Sequence, residues 1–142
     1  NIILTIFLAA VKAALKALGV RRLGFLTPYV AEVSQAMRRR LEDNGIEIAA
    51  FGSFEQSEEA LVARITPPSI LEAIVQIGQG ADCDGVFAAC TNLRTLDILA
   101  EAESRLQKPV VSSNQALAWH MAQLAGRPLN VTGRGRLLEI SG

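Results

Sequence analysis

Apolar residues along this chain fall in short runs separated by longer stretches in which they recur every three or four positions. Short runs of this kind read as buried strands and the longer stretches as amphipathic helices. Their alternation predicts a parallel sheet with helices on its faces. A first helix is expected over residues 6–18, closed by Gly19. A strand over residues 22–26 then arrives at Thr27-Pro28-Tyr29. The next helix, residues 30–43, puts Val33, Met37 and Leu41 on one face and Arg38, Arg39, Arg40 and Glu42 mostly on a solvated one. Asn44-Gly45 ends it and residues 46–51 form the second strand, whereas residues 52–65 show no clear period. Thr66 is a natural N-cap and Pro67-Pro68 suit a first turn, so a helix is expected over residues 68–79. Residues 84–88 form a third strand that runs into Ala89-Cys90-Thr91-Asn92, followed by a helix over 92–106. A short fourth strand over 109–112 and a helix over 114–125, stopped by Gly126-Arg127-Pro128, complete the pattern. The architecture this predicts is α/β: an open, mostly parallel, four-stranded flavodoxin-like sheet in one unit over residues 1–128. Residues 129–142, with Gly133, Gly135 and Gly142, read as a partly disordered tail.

Composition narrows the functional classes. The 142 residues carry 14 basic and 14 acidic side chains, a formal charge of zero, and only 5% aromatics. That leaves neither the basic face nor the stacking platforms that nucleic-acid binding requires. The first ten residues are strongly apolar, yet they have no basic n-region, and Lys12 and Lys16 follow too soon for a membrane span of about 20 apolar residues. They read as a buried helix with neither a targeting nor a membrane role. Asn1 in place of an initiator methionine points to further residues upstream, which this apolar surface would face. Cys83 and Cys90 stand in neither a zinc nor a disulfide spacing, and the lone His120 adds no metal site. No glycine-rich phosphate loop is present, so no cofactor is implied, and a reducing cytoplasmic compartment is the simplest setting.

Ligands of open α/β sheets bind beyond the carboxyl ends of the strands, where loops meet helix N-termini. Three strands here end in polar sequence: Thr27-Pro28-Tyr29, Cys90-Thr91-Asn92 and Ser112-Ser113-Asn114-Gln115. Cys90 just precedes a helix, whose free N–H groups and dipole would favour a thiolate. Such a thiolate could attack an activated double bond or remove a proton beside a carboxylate. The alternative is a buried cysteine packing as a small hydrophobe, which is the preferred reading for Cys83 at the opposite end of its strand. Tyr29 could donate to a carboxylate or only cover the helix entry with its ring. Thr91, Asn92, Ser113 and Asn114 could each hydrogen-bond an anion or cap the helix that follows. His120 falls inside the last helix and reads as structural.

These residues also carry a resemblance. Leu26-Thr27-Pro28-Tyr29-Val30, Cys90-Thr91-Asn92-Leu93-Arg94-Thr95 and Ser112-Ser113-Asn114-Gln115-Ala116 with Trp119-His120 resemble the second half of maleate cis–trans isomerases. These belong to the aspartate/glutamate racemase superfamily, which also holds arylmalonate decarboxylase and hydantoin racemase. Phe51-Gly52-Ser53-Phe54-Glu55-Gln56 with Val62-Ala63-Arg64-Ile65 is similar to a branch associated with ectoine utilisation. The resemblance implies one half-domain of a pseudo-twofold enzyme with a cleft between its halves. It also implies a cofactor-independent isomerase or racemase acting on a small carboxylic acid or amino-acid derivative. It further implies Cys90 as the catalytic cysteine of this half, Tyr29 as the carboxylate-binding tyrosine, and Thr91 and Asn92 in the same anion pocket. Pairing into a homo-oligomer through the exposed or missing half is part of the same expectation. Two departures stand out. No second cysteine sits at an equivalent strand end, and Glu59 stands near the place of a substrate-binding asparagine in the maleate isomerases. A carboxylate there would repel a dicarboxylate, which favours a substrate with an amino or amide group. A cysteine-dependent decarboxylase and a non-catalytic carboxylate-binding protein remain the alternatives.

Overall fold

The structure, a computed structural model, describes residues 2–56, 62, 64–80, 82–89 and 95–140. Helix α1 (Ile2–Leu18) leads into strand β1 (Arg22–Tyr29), helix α2 (Ala31–Asp43) and strand β2 (Glu47–Gln56). Helix α3 (Pro67–Gly78), strand β3 (Gly85–Ala88), helix α4 (Leu99–Leu106), strand β4 (Val110–Ser112) and helix α5 (Ser113–Leu124) follow, and a 3-10 turn spans Arg136–Glu139. The four strands form one sheet in the order β2-β1-β3-β4, all parallel. This is the doubly wound arrangement expected from alternating strands and helices.

Each sheet face owes its packing to particular side chains. On one face Phe25 stands in register between Phe51 and Phe87, with ring centroids 5.8 and 6.0 Å apart. Phe7 of α1 packs on Phe87 at 6.0 Å. Val11, Ala14 and Leu15 of α1, Leu41 of α2, and Ala116 and Trp119 of α5 close over this aromatic row. On the other face, Leu26, Val86 and Val110 meet Ile70, Leu71 and Ile74 of α3 and Leu99, Ala102 and Leu106 of α4. Gly24 and Gly52 let α3 approach, since a Cβ at either would lie 2.7 Å from the Ile77 side chain. Thr66 caps α3 as expected, its hydroxyl accepting from Ser69 N–H at 3.3 Å. At the other end of α3, Lys108 Nζ donates to the carbonyls of Gly78 and Gly80, each at 2.7 Å.

Several expectations are corrected. Helix α1 starts at Ile2, and the apolar start is not buried throughout: Ile2 is 77% and Ile6 53% exposed, while burial begins at Ala10. On α2 the inward face is Ser34, Met37 and Leu41, with Val33 45% exposed. Both β1 and β2 run further than their apolar runs do. Pro28 lies inside β1, where the ladder shifts register between Thr27 and Tyr29, as a residue without an N–H requires. Residues 95–98 form a turn ahead of α4, so the helix expected over 92–106 is described only from Leu99. The segment after residue 128 is no loose tail, because Leu137 and Leu138 are buried in the core of the aromatic face. Among the described residues no helix is long and apolar enough to cross a membrane.

Candidate active site

All four strands point their carboxyl ends to the same edge, and that edge is stepped. Leu26, Ala88 and Ser112 lie side by side across β1, β3 and β4. Strand β3 ends at Ala88 and β4 at Ser112, but β1 continues to Tyr29, still paired with Gln56 of β2. At roughly 3.3 Å per residue, β1 and β2 therefore rise about 10 Å above the ends of β3 and β4. The result is a step with Tyr29 on its wall and the N-terminus of α5 at its floor.

The wall is fixed by hydroxyl groups. Thr27 is fully buried, and its Oγ1 accepts from Tyr29 N–H at 3.1 Å and from Ser34 Oγ at 3.4 Å. The carbonyl of Tyr29 accepts from Ser34 Oγ at 3.0 Å and from Ser53 Oγ. The partly buried Tyr29 packs against the α3–α4 core, as do Phe54 and Ile65. On the rim, Glu55 Oε2 accepts from Ala31 N–H, the first residue of α2, at 3.1 Å. A carboxylate in that position answers the positive end of the α2 dipole.

The floor is built by a capping box. Ser112 Oγ accepts from Gln115 N–H at 3.1 Å, while Gln115 Oε1 accepts from Ser112 N–H at 3.4 Å. Ser112, and neither Ser113 nor Asn114, is thus the N-cap of α5. Ser113 is fully buried and Asn114 exposed, so only the second presents its side chain to solvent. Ser34, Ser53 and Gln115 were not singled out as candidate residues. Gln115 alone had a local signal, the Ser-x-x-Gln spacing; Ser34 and Ser53 reach Tyr29 only through the fold.

Cys90, Thr91 and Asn92 lie outside the described residues, as does Glu59. What is described is the ground on either side. Ala89 N–H donates to Leu26 O at 2.8 Å, and the buried Thr95 accepts from Ile98 N–H at 2.9 Å. The chain thus enters the Cys90 segment from the middle of the sheet, between β1 and β4. His120 stands about two turns into α5 and is half-buried. Cys83 is at the opposite edge, 3% exposed, with Sγ 3.7 Å from the carbonyl of Ile77. Burial pushes its thiol up, opposed by the charges of Lys108 and Arg22. Cys83 is therefore expected to resist alkylation in the native protein at pH 7.5, labelling at least about tenfold slower than a free thiol by mass spectrometry. Native labelling at the free-thiol rate would contradict its structural assignment.

A four-stranded parallel sheet with Tyr29 and the α5 N-terminus at its carboxyl-end edge defines the class: one doubly wound α/β unit. Comparison with known proteins narrows it further. The arylmalonate decarboxylase family matches residues 3–138, and the chain belongs to that family. It is 34% identical over 134 residues to the arylmalonate decarboxylase of Bordetella bronchiseptica, covering 93% of this chain and 56% of that protein. A maleate isomerase structure from Pseudomonas putida superposes with a TM-score of 0.89 at 27% identity, covering 94% of this chain and 54% of that one. A Nocardia farcinica maleate cis–trans isomerase, a Cys-to-Ser mutant with a covalently bound succinylcysteine intermediate, gives 0.81 at 25% identity, covering 92% and 53%. The chain spans about half the length of the curated relatives it matches.

Proposed function

We propose that this chain is the Cys90-bearing half of a cofactor-independent isomerase or racemase that acts at a carbon beside a carboxylate. Cys90 acts together with a group outside these residues. The observation that carries this reading is the stepped strand edge. Residue 90 comes directly after Ala89, whose backbone is held by Leu26 at the foot of the step. Tyr29 and the α5 N-terminus flank that foot and suit a carboxylate. In racemisation, the Cys90 thiolate takes the proton from one face of the carbon and a second acid returns one to the other face. In cis–trans isomerisation, the thiolate bonds to one alkene carbon while a proton goes to its neighbour. Rotation about the resulting single bond and the reverse elimination give the other isomer. The succinylcysteine intermediate of the Nocardia farcinica relative is the adduct that such an addition to maleate would leave. Tyr29, Thr91, Asn92 and Asn114 are the proposed carboxylate-binding set, without the expected Ser113, whose side chain is fully buried. Glu55 adds a negative charge to the rim, which favours a substrate with one carboxylate and an amino or amide group over a dianion.

A second reading, a cysteine-dependent decarboxylase, is favoured by the 34% identity to arylmalonate decarboxylase. There the bond to one carboxyl group breaks, carbon dioxide leaves, and the Cys90 thiol protonates the resulting enediolate. The two separate on products. The full-length protein is incubated with maleate, phenylmalonate and single enantiomers of N-acylated amino acids, with carbon dioxide release and stereochemistry both followed. The expected result is a change of configuration or geometry with no carbon dioxide. Stoichiometric carbon dioxide from phenylmalonate would replace the first reading by the second.

A further inference from the structure

Strand β4 is an edge of the sheet, with β3 on one side only. Val86 N–H donates to Pro109 O at 3.0 Å, so Pro109 and Val111 turn their backbone groups toward β3. Alternate residues of a strand face opposite ways, which leaves the N–H groups of Val110 and Ser112 pointing off the edge. Both are met by side chains: Val110 N–H donates to Glu103 Oε2 at 3.0 Å and Ser112 N–H to Gln115 Oε1 at 3.4 Å. The same two side chains also hold the C-terminal segment. Glu103 Oε1 accepts from Arg136 N–H at 2.8 Å, and Gln115 Nε2 donates to Arg134 O at 3.0 Å. Two rungs result, Val110 to Arg136 and Ser112 to Arg134. Residues 134–136 therefore run antiparallel to β4, one side chain further out than a paired strand. The segment is anchored by the buried Leu137 and Leu138 and by Val131 N–H, which donates to Leu138 O at 2.9 Å. Between the rungs Gly135 has φ +99°, and a Cβ there would lie 2.4 Å from Gln115 Nε2. A cavity of about 220 Å³ between the segment and α4, lined by Ser104, Gly133 and Glu139 among others, shows that the edge is covered without close packing.

We propose that residues 134–136 are an edge guard: they occupy the place of a fifth strand and keep β4 from pairing with β4 of a second copy of this chain. An uncovered edge strand is a template for another strand. Strand β4 holds only Val110, Val111 and Ser112, with no charge to turn a partner away. The formal charge of these 142 residues is zero, so two copies have no net repulsion to overcome. Two such edges meet antiparallel about a two-fold axis, the closed arrangement that identical chains favour. Each then offers the other's Val110 and Ser112 N–H groups a carbonyl in place of a side chain. The guard sets the association state, independently of the chemistry at Cys90.

The test opens the guard in the full-length protein by two routes. Gly135→Ala drives a methyl group against Gln115 at a φ that alanine rarely adopts, and Gln115→Leu removes one rung while keeping its bulk. Leu41→Ala in α2, a core truncation beside β2 at the opposite edge of the sheet, controls for lost stability alone. Mass is read by light scattering and amide exchange at single residues. At about 100 µM both guard variants are expected at twice the parent's mass, with the Val110 and Ser112 amides exchanging within about tenfold of the parent rate. Leu41→Ala should keep the parent's mass. The parent's mass in the guard variants would overturn the proposal whether those amides open or stay closed: open, the edge does not pair; closed, these bonds do not hold the segment. A doubled mass with faster exchange at the two amides would place the contact elsewhere, and doubling in Leu41→Ala as well would trace association to lost stability. Either result also overturns the guard.

Discussion

Replacing Cys90 by alanine in the full-length protein lowers turnover by at least about 10³-fold and leaves the melting temperature within about 2 °C of the parent. The size of the loss follows from the lack of a substitute among the described residues. The hydroxyls of Thr27, Ser34 and Ser53 are committed to the backbone and to one another around Tyr29. His120 lies about two turns along α5, too far to act at its N-terminus. Serine at position 90 should fare little better than alanine, because a hydroxyl is a far weaker acid than a thiol at neutral pH and a poor leaving group in the reverse step. Steady-state kinetics with a circular-dichroism melt checks this. More than a tenth of parental activity in Cys90→Ala would remove the residue from the mechanism.

Glu103→Ala is expected to cost about 2–4 kcal/mol of folding stability, the largest effect outside the site. Glu103 belongs to α4 but is only 5% exposed. Its two oxygens accept from Val110 N–H at 3.0 Å and from Arg136 N–H at 2.8 Å. Alanine leaves both backbone donors unmet and opens the space the carboxylate filled. Glutamine is no clean replacement, since its amide N would face one of the two N–H groups. Burial pushes the Glu103 carboxyl above its ordinary value of 4.5, and the two backbone N–H bonds only partly oppose this. The folded state then binds the proton more tightly than the unfolded one. The carboxyl's contribution is accordingly full below pH 4.5 and shrinks as pH rises through the folded value. The stability gap between parent and Glu103→Ala should thus narrow with rising pH, measurable by urea unfolding at a series of pH values. A gap that widens over that range would show that this burial is not what sets the proton affinity.

What could be read from the residues in order, and what could not, follows the reach of the forces involved. The parallel sheet was legible because four apolar runs alternate with helical periods, and the cap at Thr66 because it is a local bond. The upper part of β1 and β2 was not. Gly52 and Ser53 have poor strand preference and Pro28 cannot donate, yet cross-strand pairing extends both strands to Tyr29 and Gln56. That extension makes the step, so the height of the wall was hidden even though Tyr29 stood out as a candidate. The C-terminal segment was misjudged for the same reason. Gly133 and Gly135 read as looseness, but their φ values of +78° and +99° are those of turns that bring Leu137 and Leu138 into the core. The partners that hold those turns, Glu103 and Gln115, lie well back along the chain, where no local pattern connects them. Glu103, inside the helix expected over 92–106, is one of the most enclosed carboxylates described, and no local pattern marks it as such.

The aromatic face of the sheet has a property that belongs to folding order. Val11, Ala14 and Leu15 of α1 sit in the same cluster as Leu137 and Leu138, so residues from opposite ends of the sequence complete one core. Contacts of such long range form only after the intervening strands have paired, because closing the loop before then gains nothing. The first helix and the last turn therefore act as a clasp. Opening of either element uncovers the other, and the two should protect each other's amide hydrogens as a single cooperative unit.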